Sequence, residues 1–330
     1  MAFLGGIKEK FQNNEIAGTM ANRLSSAKEY LAEKKQAVGE MGPLKAVTER
    51  VGNLVPQGVG TYFSPSTWSK YFPAGGGKRQ SPIDILSSEA KFDESLGNGG
   101  FKFSYNAQDC LQIRNTGVSF QIDCPEIAQS TMTAAHLNNE MYRLRQIHGH
   151  WGTEPMNGSE HLIGGVGYAG ELHIVHWNAK YPSFEEAMKQ PDGVAVLGIF
   201  LNESHDDNPL LNQIVQVVDR ITYKGDQVPL DYGFELSRIF PDTAEFWTYE
   251  GSLTTPPLAE CVIWTVYRAS IPISSNQLDK LRQLYAVGAE DVERNPQKIA
   301  GNVRPSQATN GRLIRSSFRA GGVVEQPPMQ

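Results

Sequence analysis

Large apolar side chains alternate with small or polar ones along two stretches of this chain, 142–151 (YRLRQIHGHW) and 171–178 (ELHIVHWN), and neither contains Pro. A period of two predicts half-buried strands whose residues two apart share a face. His148 and His150 therefore point the same way, with Gln146 behind them. In the second run Glu171, His173 and Val175 share a face, while His176, an odd number of steps from His173, lies on the other. The continuous apolar run 194–201 predicts a buried strand, and 261–267 a further one. Asn115-Thr116-Gly117 predicts a turn that joins 108–113 to 118–123 as a hairpin. Helical spacing marks 210–218 and 275–285, the second opening at Ser274-Ser275. It also runs through Ile7, Phe11, Ile16, Met20, Leu24 and Leu31 near the start.

Length and charge narrow the picture. A chain of 330 residues allows two domains, but large β domains commonly exceed 200 residues as one unit. We expect one domain over 59–319, an extension over 1–58 that is partly helical or disordered, and a disordered Gly- and Pro-rich tail over 320–330. The net charge is −6 and Lys and Arg are dispersed, which speaks against a nucleic-acid partner. The longest apolar run is eight residues, far from the ~18 of a membrane span, so no transmembrane segment is expected. Met1–Gly6 lacks the charged start and apolar core of a secretory signal, so the expected location is the cytoplasm. Three readings of 1–58 compete: a solvated helical extension, a segment that docks a protein partner or a membrane, and an organelle-targeting peptide. Six Glu among the first 50 residues weigh against targeting. Of the three cysteines, Cys110 and Cys124 stand on the two arms of the predicted hairpin. Free thiols are expected in a reducing compartment, with a cross-strand disulfide as the alternative.

The histidines carry the chemistry. His148, His150 and His173, three of seven in the chain, occupy matching faces of two strands. Three neutral imidazoles fill three corners of a tetrahedron and leave the fourth for water, the pattern of catalytic zinc. Ligand histidines usually donate their second ring N–H to a fixed acceptor, and Gln146 and Glu171, each two residues before a ligand, are placed to supply one. A third run, 247–258 (WTYEGSLTTPPL), adds a hydroxyl-bearing loop stiffened by two prolines.

These runs, together with Gln80-Ser81-Pro82-Ile83-Asp84, Gly158-Ser159-Glu160-His161 and Asn302-Val303-Arg304-Pro305, resemble the α-class carbonic anhydrases in order and nearly without gaps. The resemblance implies a mainly β (α+β) single domain, with a large, twisted, mostly antiparallel central sheet and peripheral helices. It implies Zn2+ as cofactor and the reversible hydration of carbon dioxide to bicarbonate and a proton. It also implies catalytic roles for Thr254 and Glu160, the Thr254 hydroxyl donating to Glu160, and an Asn302 carbonyl beside His150. Val175, Val196, Leu253, Val262, Trp264 and Thr255 match its substrate pocket. His161 and His176 are read as structural.

Departures from the pattern carry expectations of their own. Gly149 stands between the two ligand histidines where the family usually has a large apolar residue, which implies a looser back face. Position 118, a histidine proton shuttle in fast members, is Val118, so no shuttle is expected there; His136 and His205 are the alternative relays. The neighbourhoods bridged by a disulfide in secreted members read Ala74-Gly75-Gly76 and Pro257-Leu258-Ala259, so that bridge is excluded. The competing reading is a catalytically weak or silent relative that acts as an interaction module. Retention of the three histidines, Thr254 and Glu160 argues against it.

Overall fold

A computed structural model describes residues 68–319 apart from 98, 99, 231, 232 and 295. The segments 1–58 and 320–330 lie outside the described residues. The fold is organised around a 13-stranded, mostly antiparallel sheet. Its centre is built from β1 (Gln112–Asn115), β2 (Phe120–Asp123), β3 (Tyr142–Trp151), β4 (Gly170–Asn178), β5 (Val194–Ser204), β6 (Phe246–Gly251) and β7 (Val262–Tyr267). These lie side by side in the order β1, β2, β3, β4, β5, β7, β6. Helices are few and short, and no helix among the described residues is long and apolar enough to cross a membrane.

All nine residues of β4 and the first eight of β5 are buried, because apolar clusters cover both faces of the sheet there. Alternation assigns the faces. Ile174, Leu197 and Ile199 enter one cluster, while Val175, Val196 and Trp264 enter the other. His173 shares the second face with Val175, and His176 points into the first, as the period of two requires.

In β3 the alternation does not run unbroken. The register with β4 shifts between Leu144 and Gln146, leaving Arg145 as the extra residue of a bulge. Tyr142 and Leu144 therefore belong with Ile147 and Trp151 in the first cluster, whereas Gln146, His148 and His150 face the other way. Without the bulge the two halves of the strand would present opposite parities.

Three elements differ from expectation. The hairpin forms, but β1 begins at Gln112, because Ala107–Asp109 winds into a 3-10 turn whose cap, the Asn106 side chain, accepts from Gln108 N. The helix expected over 210–218 is one turn, Asn212–Val215, followed by a 3-10 turn at Val218–Arg220. The helix expected over 275–285 ends at Leu281, although it starts as expected, with a capping box between Ser274 and Gln277.

Candidate metal centre

Antiparallel pairing sets His148 of β3 directly across from His173 of β4, and His150 across from Glu171. The ring nitrogens converge: His150 Nε2 lies 3.1 Å from His173 Nδ1, which lies 3.3 Å from His148 Nε2. Each outer nitrogen has a fixed acceptor. His148 Nδ1 donates to Gln146 Oε1 at 2.8 Å, His150 Nδ1 to the Asn302 backbone carbonyl at 2.7 Å, and His173 Nε2 to Glu171 Oε1 at 2.8 Å. Those bonds place the proton of each neutral ring on the outside, so three lone pairs point at one another.

Protonation does not relieve that crowding. Burial, then the neighbouring histidines His173 and His150, holds His148 well below the usual imidazole range, and burial likewise lowers His150. Burial opposes the charge on Glu171, but His161 and His173 outweigh it and keep its carboxyl well below the usual range. Two imidazoles kept neutral, and a third donating to an ionised carboxylate, suit a cation. Four-coordinate zinc with nitrogens at ~2.0–2.1 Å requires N···N separations of about 3.3–3.4 Å, close to those found.

Glu160 supplies a second test of fit. Its Oε1 accepts from Arg304 N at 2.8 Å. Its Oε2 is buried without a hydrogen-bond partner, 3.5 Å from His150 Nε2 and 3.9 Å from His173 Nδ1. The bond from Thr254 implied by the resemblance is thus not made at this atom, although Thr254 is itself buried. An orphaned carboxylate oxygen beside three lone pairs is costly unless a donor or cation stands between them.

A second cluster, His161, Glu171 and His173, is equally compact. It is held by hydrogen bonds instead: His161 Nδ1 donates to Glu171 Oε1 at 2.7 Å, and His161 Nε2 bonds the Tyr249 hydroxyl at 2.6 Å. Glu171 Oε2 takes the backbone N–H groups of Glu160 and His161. The network fixes the 159–161 turn against β4.

Val175, Val196, Val262 and Trp264 lie buried together on the face of His173, with Leu253 packed against them. The Trp264 ring is 4.8 Å from that of His173. Thr255 is half-buried in the same loop as Thr254. That loop is tied down by Glu260, whose Oε1 accepts from Arg79 N at 2.7 Å and Gln80 Nε2 at 3.0 Å. The carboxylate thus joins the two neighbourhoods that lack bridging cysteines.

Other expectations change. Gly149 does not leave a looser back face: a Cβ there would lie 2.7 Å from Phe120 Cε1 and 3.3 Å from Leu172 Cδ2, because Phe120 of β2 fills the space. His136 is not on the cleft side. It bonds Thr265, which alternates with Trp264 and so faces away from it. His205 is exposed in the loop after β5, beside Asp206. His176 bonds the Tyr105 hydroxyl and the Ile174 carbonyl on the far face. Arg304, whose N–H clamps Glu160, was given no role by sequence reasoning; its place in the Asn302–Pro305 run was the available signal.

A mostly antiparallel sheet with three converging histidines on adjacent central strands defines the α-class carbonic anhydrase fold. The chain belongs to the eukaryotic-type carbonic anhydrase family, whose profile matches residues 63–318. It is 41% identical over 264 residues to carbonic anhydrase 7 of Homo sapiens, covering 80% of this chain and 97% of that protein. It is 37% identical over 262 residues to carbonic anhydrase 3 of Rattus norvegicus, covering 79% and 98%.

Proposed function

We propose that this chain is a zinc-dependent carbonic anhydrase that hydrates carbon dioxide reversibly to bicarbonate and a proton. The observation that carries the reading is the convergence of three lone-pair nitrogens whose outer N–H groups are each tied to a fixed acceptor. His148, His150 and His173 would hold the ion. When bound, zinc makes hydroxide available near neutral pH by lowering the pKa of water to about 7, a value that carbonic anhydrases themselves established.

The chain's own residues do the rest. Gln146, Glu171 and the Asn302 carbonyl hold the three rings in one tautomer and orientation. Glu160 Oε2, free to accept, would receive a hydrogen bond from the Thr254 hydroxyl, so that the Thr254 oxygen would itself accept one and aim the nucleophile. The Thr254 N–H stabilises the oxygen that gains charge. Val175, Val196, Leu253, Val262, Trp264 and Thr255 offer a small apolar substrate a pocket that excludes water. Val118 offers no titratable group to carry the proton away. A cytoplasmic location and a protein partner for residues 1–58 belong to the same reading.

Metal analysis with stopped-flow hydration tests it. We expect one zinc per chain, lost in His148→Ala, His150→Ala and His173→Ala but kept in His176→Ala, and hydration that follows zinc content. Deleting 1–58 should change neither readout. Zinc-supplied, folded protein that neither retains the metal nor hydrates carbon dioxide above background overturns the proposal.

A further inference from the structure

Away from the metal centre, two nucleophilic side chains stand against each other. Cys110 caps the turn before β1 and Cys124 follows β2, with their sulfurs 3.1 Å apart. Both are buried, at 1% and 0% exposure. Their backbones are pinned: Cys110 N donates to the Ala107 carbonyl, Cys124 N donates to the Arg145 carbonyl, and Arg145 Nη1 donates to the Cys124 carbonyl at 2.8 Å. No third metal ligand joins the pair among the described residues. The chemistry left to the two thiols is with each other, and a disulfide at ~2.05 Å requires the sulfurs to approach by about 1 Å.

We propose that Cys110 and Cys124 are an oxidative modification site, closing to a disulfide that staples the base of the β1–β2 hairpin, with a low-molecular-weight disulfide of the glutathione class as oxidant. One cysteine thiolate attacks a sulfur of the reagent and expels one thiolate, giving a mixed disulfide. The second cysteine attacks the protein sulfur of that intermediate and expels the other. Two protein S–H bonds and the reagent's S–S bond are replaced by one protein S–S bond and two reagent thiols, so the reagent is the species reduced.

The fold decides when this happens. The Cys110 hydrogen bond, then burial, holds the Cys124 thiol well above its ordinary range, so its thiolate is scarce in the closed hairpin. Exchange therefore runs during folding or through an opened hairpin, where thiols regain ordinary acidity. Burial afterwards shields the bond from reductant. The third thiol, Cys261, lies in the cluster on the opposite face of the sheet and does not compete. The staple acts on the metal centre's support: the hairpin carries Phe120, packed under Gly149, and Gln121, directly across from His148.

The test is to refold the full chain, with zinc supplied, in glutathione redox buffer, block free thiols with an alkylating reagent in denaturant, and map the linked peptides. One of the three thiols, Cys261, should remain. The bridge spans 14 positions, so the melting midpoint should rise by roughly 5–10 °C over the reduced protein, with zinc content unchanged. Oxidation of the native protein should be slow and should speed up in sub-denaturing urea. Cys261→Ser should behave as the parent, and Cys110→Ser should lose the shift. Three titratable thiols, a bridge that includes Cys261, a bridge between chains, or a bridged protein that melts no higher than the reduced one would overturn the proposal. Should Cys110→Ser fail to fold, the thiol count of the unaltered chain decides.

Discussion

Glu171 serves four partners with two oxygens: the rings of His161 and His173 through Oε1, and two backbone N–H groups through Oε2. Glu171→Gln keeps the size but offers one acceptor oxygen where two are in use, so the His173 ring loses its anchor or the turn loses its clamp. Zinc affinity should fall by about 10–100-fold, the usual scale for a ligand's supporting partner, as read by competition with a chelator. An unchanged affinity would mean that the strands alone orient His173. Val118 carries a second expectation. Its carbonyl accepts from Asn302 Nδ2 at 2.7 Å, and its neighbours Thr116, Ser119 and Gln121 do not titrate near neutrality. His136 faces away, and His205 stands beyond Ser204, six strand positions or roughly 20 Å from the Gly198–His173 pair. A relay group needs a pKa near the working pH, which favours histidine. Turnover should therefore rise with imidazole-type buffers, and Val118→His should raise it at low buffer. Fast turnover indifferent to buffer would sink this expectation.

At the scale of the element, β2 and β3 share one packing problem. Phe120 lies under Gly149 and stacks on Trp151, with ring centroids 5.9 Å apart and planes within 8°. Gly149→Ala forces a methyl group into contact with that ring, and overpacking of this kind costs about 1–3 kcal/mol. Phe120→Leu in the same chain should recover part of the loss, so the pair is non-additive in urea unfolding. Equal and additive losses would show that the two do not share the space. The strands were legible in the sequence because burial imposes a period of two, and the ligand histidines with them, since a ligand's face follows from parity. The bulge at Arg145 left a trace that a plain period of two passes over: Arg145 and Gln146 are two polar residues in a row, where the apolar positions change parity from 142 and 144 to 147 and 151. The Asn302 carbonyl that orients His150 was legible by resemblance alone: it is a backbone atom 152 positions away, which no local period encodes. The helices were overextended for a related reason. Apolar spacing continues past Val215 and Leu281, but the chain there passes into a 3-10 turn at Val218–Arg220 and into an isolated bridge between Tyr285 and Lys298.

For the whole molecule, acid is the revealing stress, because the fold keeps histidines neutral on the far face of the sheet as well as at the metal centre. Burial, with a smaller effect from Arg315, pushes His136 down to about 4, and burial pushes His176 down to about 3. In the unfolded chain both return to about 6.5. The sign follows from proton counting. Above pH ~6.5 neither state binds a proton at these rings, so they do not tilt the balance. Between ~6.5 and 4 the unfolded chain takes up protons that the folded chain refuses, so stability falls as pH falls, by on the order of a few kcal/mol in total. Carboxylates held low in the fold, such as Asp192 beside Lys180 and Tyr181, lose their contribution further down, near and below the ordinary carboxylate range. The window from about 6.5 to 4.5 thus isolates the histidines. Zinc ligands protonate as pH falls too, so the comparison belongs to the metal-free protein. There, His136→Gln, which keeps a polar partner for Thr265 and cannot titrate, should flatten the fall of the urea midpoint across that window. Parallel pH profiles for the variant and the parent would show that His136 is not held neutral by the fold.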